Sequence, residues 1–232
     1  MNSSQASDTL ESMSQAIWYN QWTLKLFIKY LRGSILEVGC GIGNFTKTLT
    51  KYGQVTSIDI NKDYLDSTKQ LVKGKALIGY GNIEKGDYFF KDKKFDTVIC
   101  LNVLEHIKDD QKVLKNLNKL IRTGGLLILL VPAHKSLFSE IDKAIGHYRR
   151  YHKDKLLKDI KHAGFNILKS RRLNFLGAIG WFWAGKILRQ KTVDIKNIKI
   201  FNLFAPIFLS LEGLLEPPIG TSLLIIAKKF KQ

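Results

Sequence analysis

The 232-residue chain has only two cysteines, Cys40 and Cys100, too few for a disulfide framework. Each closes an apolar run, where a small buried thiol packs well, and a reducing cytoplasm suits both. Acidic side chains are scarce as well: 20 Asp and Glu face 37 Lys and Arg, leaving a formal net charge of +17. The opening stretch MNSSQASDTLESMSQ lacks the cationic start and apolar core of a secretory signal, so residues 1–15 are expected to be a mobile tail. Neither of the two long apolar stretches near the carboxyl end reaches the roughly 20 residues that crossing a bilayer needs. Internal repeats are absent, and so is low-complexity sequence beyond residue 15.

What is present suits one soluble domain. A composition 45% hydrophobic and 25% charged is ordinary. Residues 16–232 suffice for a single α/β domain with a full core. The positive charge is uneven: residues 143–199 hold 15 Lys and Arg against 3 acids. Such a concentration fits an anionic partner (nucleic acid, an acidic membrane surface or a phosphorylated substrate) or simply a lysine-rich, soluble surface.

Apolar strands alternate with helices along the first two thirds of the chain. Strands are expected at 34–39, 54–60, 75–80, 95–101 and 125–132, with helices at 18–31, 44–52, 62–72 and 109–121 between and before them. Continuous apolar strands separated by helices imply a parallel sheet covered on both faces. Two further strands, 165–173 and 222–230, complete a Rossmann-like, seven-stranded, mostly parallel sheet in an α/β fold. Between them, residues 174–221 form an apolar and basic insert, expected to be a helical cap. The insert carries NFLGAIGWFWAG and IFNLFAPIFLSL, which read as buried, interfacial or substrate-covering helices.

The most informative stretch is LEVGCGIGNFT, residues 36–46, where the first strand turns into the first helix of the sheet. Glycines at that turn let a cofactor approach the backbone at the strand ends. The spacing Gly39, Gly41, Gly43 departs from the G-x-G-x-x-G of a dinucleotide site. Glu37 would repel a pyrophosphate yet suits the cationic ammonium or sulfonium of S-adenosylmethionine. Asp59, 20 residues after Gly39 at the end of the second strand, can accept both hydrogen bonds of a ribose diol.

Together the glycine loop, Asp59 and FDTVICLNVLEHI resemble the class I S-adenosylmethionine-dependent methyltransferases, especially their quinone-biosynthesis-like small-molecule branch, over about residues 34–131. The resemblance implies that Glu37, Gly39, Gly41 and Asn44 line the methionine moiety and that Asp59 and Ile60 hold the ribose. It also implies that Asn82 and Ile83 meet the adenine, with Leu101 and Asn102 beside the cofactor. Asn82 stands where the family commonly has an acid, but an amide can both accept from the adenine amino group and donate to the ring. Some quinone methyltransferases use an acid three residues before the Glu105–His106 pair to bind a metal. That position is Asn102 here, so no metal is expected. A longer resemblance, through VPAHKSLFSEIDKAIGHYRRY, WYNQW and EPPIGTSLLIIAKK, is to bacterial methyltransferase-domain proteins and extends over nearly the whole chain.

Catalysis itself needs little beyond alignment of a nucleophile with the methyl group, exclusion of water and removal of a proton. His134, after the fifth strand, and His147 are the candidate general bases. Arg149, Arg150 and Tyr151 in GHYRRYH are candidate substrate ligands, the arginines for phosphate or carboxylate groups or else in structural ion pairs. Trp18 and Tyr19, with Trp22, form either a lid over the site or part of the core. The expected function is methyl transfer from S-adenosylmethionine, leaving S-adenosylhomocysteine, to a small-molecule or lipid-linked acceptor at oxygen, the acceptor being anionic if the basic region meets it. A nucleic-acid acceptor is disfavoured, because LNVLEH lacks the Asn or Asp followed by Pro-Pro-aromatic of base-amino methyltransferases. Cytoplasmic location, with peripheral contact of residues 174–215 at the inner membrane surface, is the third expectation.

Overall fold

The computed structural model describes residues 15–192 and 195–230, so the expected tail lies, but for Gln15, outside the described residues. The strands are β1 (Ser34–Val38), β2 (Gln54–Asp59), β3 (Leu77–Asn82), β4 (Asp87–Tyr88), β5 (Phe95–Leu101), β6 (Ile121–Pro132), β7 (Phe165–Leu173) and β8 (Ser222–Lys229). They form one sheet in the order β4-β3-β2-β1-β5-β6-β8-β7. Strands β3, β2, β1, β5 and β6 run parallel, while β8 is antiparallel to both β6 and β7. The α/β fold is the one expected, with one strand more. β4 adds two antiparallel residues that pair with the end of β3, Gly81 opposite Tyr88.

The apolar runs are continuous because both faces of the central strands are buried. Along β6, Leu127, Leu129 and Val131 join one core cluster, while Ile128 and Leu130 join the cluster on the opposite face. Helices α1 (Ile17–Phe27), α2 (Thr46–Leu49), α3 (Lys62–Val72), α4 (Asp110–Leu120), α5 (Glu140–Ala144) and α6 (Lys153–His162) precede the insert. Their starts are fixed locally. Asn61 accepts from the Asp63 and Tyr64 amides at the start of α3, and Asp109 from the Lys112 amide at α4. Ser139 and Asp142 form a capping box at α5. α1 is shorter than expected, giving way at Ile28–Tyr30 to a 3-10 turn.

Between β7 and β8 lie α7 (Phe175–Trp181), a π-helical turn (Phe182–Ile187) and α8 (Ile195–Leu214). This insert leaves and re-enters the sheet at its carboxyl edge, because β7 ends and β8 begins beside Pro132 at the end of β6. Its base is tied together. Glu212 accepts from the amides of Asn174 at 2.7 Å and Phe175 at 2.6 Å, and the Thr221 amide donates to the Asn174 carbonyl at 3.2 Å. α8 packs on α1 through Ile198, Ala205 and Leu209 against Ala16 and Tyr19. With 20 residues, α8 is longer than the apolar stretch suggested, and residues 197–214 have the length and composition of a membrane span.

Candidate active site

The glycine loop folds as a cradle at the end of β1. Gly39 has φ +74°, and a Cβ there would lie 2.3 Å from Val103 Cγ2, so the neighbour that excludes a side chain is the loop after β5. The Gly39 and Cys40 amides both donate to the Ile58 carbonyl, at 2.8 and 3.2 Å. The Gly41 amide donates to Asp59 Oδ2 at 2.9 Å, and the other carboxylate oxygen accepts from the Asn61 amide at 2.9 Å. Asp59 therefore fastens the loop, and each oxygen keeps a second lone pair for a ribose hydroxyl. Burial raises its pKa above the ordinary carboxylate value, with these amides opposing.

Glu37 is buried beneath the loop, where Oε2 accepts from Thr46 Oγ1 at 2.6 Å and Ser57 Oγ at 2.7 Å. Burial pushes its pKa up to about 7 despite both hydroxyls. A cation placed beside it would favour the carboxylate. Asn44 and Ile60 are exposed on the same edge, Ile60 being an apolar side chain held in solvent at the end of β2. Asn82 is half-buried, and its Oδ1 accepts from the Lys85 amide at 3.0 Å to close the turn after β3. Ile83 corrects the expectation of an adenine contact: its side chain is buried in the core cluster, while Asn116 Nδ2 donates to its carbonyl. Leu101 is half-buried. Asn102 is exposed with φ +54°, its amide donating to Leu130 at 2.8 Å. Glu37, Asp59, Asn82, Leu101 and Asn102 thus come together at the carboxyl ends of β1, β2, β3 and β5. The cradle, the spare acceptor capacity of Asp59 and the bare apolar Ile60 fit S-adenosylmethionine.

His134 follows β6 at the same edge with φ +58°, held by a hydrogen bond from its amide to the Tyr151 carbonyl at 3.0 Å. Its Nε2 is buried and has no hydrogen-bond partner among the described residues. Burial, then the charges of Arg172, His152 and Arg150, lower its pKa. The ring is therefore neutral near pH 7, as a base must be.

His147 sits in a buried cluster against the turn that follows β5. Its Nδ1 pairs with Asp142 Oδ1 at 2.9 Å, its Nε2 stands 3.8 Å from Glu105 Oε1, and its ring centroid is 4.6 Å from that of His106. Both Glu105 oxygens are buried without hydrogen-bond partners among the described residues, and burial pushes its pKa up to about 7. The donor atoms of Glu105, His106 and His147 lie within 4.8 Å of one another, a set that could hold a metal ion. The shortage of donors behind the expectation of no metal is thus absent from the folded chain.

Asp142 is the hub of this cluster. It also accepts from the Ser139 amide and hydroxyl, from Arg150 Nε at 2.8 Å and from Trp181 Nε1 at 3.2 Å. Three expected substrate ligands need correction here. Arg150 is 3% exposed, paired with Asp142, turned toward the Ala133 and Thr221 carbonyls, and stacked 4.6 Å from the Trp181 ring. Tyr151 is buried, with its hydroxyl on Asp110 Oδ2 at 3.2 Å. Arg149 pairs with Asp110 at 2.8 Å and donates to the Lys108 carbonyl at 2.7 Å. Tyr19 is likewise a core residue, donating to Ser222 Oγ at 3.2 Å, whereas Trp18 on the preceding position of α1 is half exposed. Asp142 and Trp181 escaped sequence reasoning. The Ser139-x-x-Asp142 capping pattern was a signal for the first, and no local pattern marked the second.

A parallel sheet whose strand ends gather a glycine cradle, a buried acid and a carboxylate with acceptor capacity to spare has the features of a methyltransferase that uses S-adenosylmethionine. The methyltransferase domain family matches residues 36–129. Uncharacterized protein MJ0638 of Methanocaldococcus jannaschii is 34% identical over 173 residues, 72% of each chain. The ubiquinone biosynthesis O-methyltransferase of Coxiella burnetii is 34% identical over 95 residues, 40% of this chain and 41% of that enzyme's length. The crystal structure of N-methyltransferase NodS from Bradyrhizobium japonicum, in complex with S-adenosyl-L-homocysteine, superposes with a TM-score of 0.59 at 14% identity, covering 92% of this chain and 86% of that one. The chain belongs to the class I S-adenosylmethionine-dependent methyltransferases.

Proposed function

We propose that the enzyme methylates a hydroxyl oxygen of a small-molecule or lipid-linked acceptor in the cytoplasm, with His134 as the general base. The observation that carries this reading is a histidine at the carboxyl edge, where the insert begins and ends, whose buried Nε2 has no hydrogen-bond partner among the described residues. The likeness to ubiquinone biosynthesis O-methyltransferases supports oxygen as the methylated atom.

When bound, S-adenosylmethionine supplies a methyl group already activated on a sulfonium, and S-adenosylhomocysteine remains. The chain's own residues then have three tasks. Glu37 sets a negative charge beneath the glycine loop and Asp59 accepts the ribose hydroxyls, which fixes the donor. Asn44, Ile60, Asn82, Leu101 and Asn102 border the same cleft. The insert covers the edge and excludes water, with Trp18 at its side. His134 takes the proton as the acceptor oxygen forms its bond to carbon, so no charge is stranded on the acceptor. A nucleic-acid acceptor is the second reading, favoured by the net charge of +17.

His134→Ala tests the assignment. The variant should bind S-adenosylmethionine with unchanged affinity by calorimetry and lose about 10²–10⁴-fold in turnover of hydroxylated acceptors. Full activity with such an acceptor removes His134 from the mechanism.

A further inference from the structure

α8 is apolar on two opposite sides, and among the described residues only one of them meets protein. At about 100° per residue, Ile198, Ala205 and Leu209 fall within about 20° of one line along the helix. These are the side chains buried against α1. Ile200, Leu203, Phe204, Ile207, Leu211 and Leu214 fall on the opposite face, spread over about 100° of arc. All six are exposed, Leu203 at 73% and Leu214 at 83%. The π-helical turn and the residue after it add exposed Phe182, Trp183, Ile187 and Leu188. Leaving such large side chains in water is costly, and continuous apolar faces of this kind mark interaction sites.

The charge on the same segment selects the partner. Residues 175–211 hold five Lys and Arg against one acid. Lys186, Arg189, Lys191 and Lys199 are exposed. A second copy of the chain paired face to face would set these cations against themselves. An anionic lipid surface instead meets both the apolar stripe and the cations around it. Spanning the bilayer is opposed by the opposite face of α8, whose contacts with Ala16 and Tyr19 hold it along the domain.

We propose that the outer face of α8, with the neighbouring π-helical turn, docks flat on an anionic phospholipid bilayer. This rests on the lipid-linked acceptor reading and deepens it, because a docked insert sets the carboxyl edge that it covers beside the membrane plane where such an acceptor lies.

Co-sedimentation with vesicles of phosphatidylcholine alone, or of phosphatidylcholine with phosphatidylglycerol, tests it. The full chain should sediment with the anionic vesicles, and added salt should weaken binding. The triple variant Leu203→Gln, Ile207→Gln, Leu211→Gln should lose more than about tenfold in partitioning. Its calorimetric affinity for S-adenosylmethionine should stay unchanged, which separates loss of docking from loss of fold. Absence of wild-type sedimentation, or equal sedimentation with neutral vesicles, overturns the proposal. So does a wild-type dimer in gel filtration that the triple variant converts to monomer, since the stripe is then covered by a second copy. Turnover of a detergent-dispersed acceptor without vesicle binding would leave the catalytic reading intact and remove only the docking.

Discussion

Replacing Asp142 with asparagine probes how far the buried cluster is responsible for stability. The Asp142 and Arg150 side chains are 0% and 2% exposed and meet at 2.8 Å, so the substitution strands a buried guanidinium. The new amide also points N–H groups at some of the donors that Asp142 now receives from Ser139, His147 and Trp181. Removing one partner of a buried pair costs about 3–5 kcal/mol. For a domain of this size that lowers Tm by about 6–20 °C. Denaturant unfolding followed by far-UV circular dichroism measures the loss directly. Adding Arg150→Met should recover part of it, because an apolar side chain needs no counter-charge. The pKa of Asp142 is lowered: burial raises it, but the His147 hydrogen bond and the Arg150 charge and hydrogen bond together prevail. A depressed carboxylate stabilises the fold above its unfolded-state pKa, and that contribution disappears as the pH falls through the folded value. Wild-type stability should therefore drop on acidification below the ordinary carboxylate range, and Asp142→Asn should flatten the drop. A loss under about 1 kcal/mol, with no rescue by the second substitution, would refute the hub.

Two further outcomes follow from the cofactor cradle. Gly39→Ala combines a left-handed φ with a Cβ 2.3 Å from Val103 Cγ2, so thermal stability and S-adenosylmethionine affinity should both fall. Val103→Ala should restore the steric part and leave the backbone strain of about 1–2 kcal/mol. Glu37 and Glu105 both have pKa values pushed up to about 7 by burial, so between the ordinary carboxylate value and pH 7 the native state holds more protons than the unfolded one. Stability of the cofactor-free protein should thus fall as the pH rises through that window, less so in Glu37→Gln. Cofactor affinity should rise over the same window as Glu37 ionises against the ammonium group, and a flat calorimetric profile in the wild type would refute that contact.

The parallel sheet was legible because burial on both faces writes itself as unbroken apolar runs, as in β5 and β6. The glycine loop was legible because a backbone that turns with positive φ at Gly39 and Gly41 leaves few residue choices. β4 was not, since two residues, Asp87 and Tyr88, carry no periodicity. α8 was read short because its first residues, Ile195–Lys199, include three polar ones, Lys196, Asn197 and Lys199, ahead of the apolar run, and because Pro206 interrupts the pattern. The fates of Arg149, Arg150 and Tyr151 depend on Asp110 and Asp142, brought in from other segments. Adjacent arginines look alike in a sequence whether they face a phosphate or a carboxylate of the same chain. His147 joins Glu105 and His106 across 42 and 41 positions, a meeting that only the packing of the turn before Arg149 against the turn after β5 creates.

The hydrogen bond between Asn174 and Thr221 gives the insert a single doorway. The strands on either side, β7 and β8, pair from Phe165–Lys229 to Leu173–Ser222 without any residue of the insert. A segment that departs and returns at one point can be shortened, lengthened or exchanged while the sheet keeps its register, since closing a loop of different length costs little. The sheet with its glycine loop and the insert are in this way separable inheritances: residues 175–220 can be rewritten while the strands that end at the loop stay as they are.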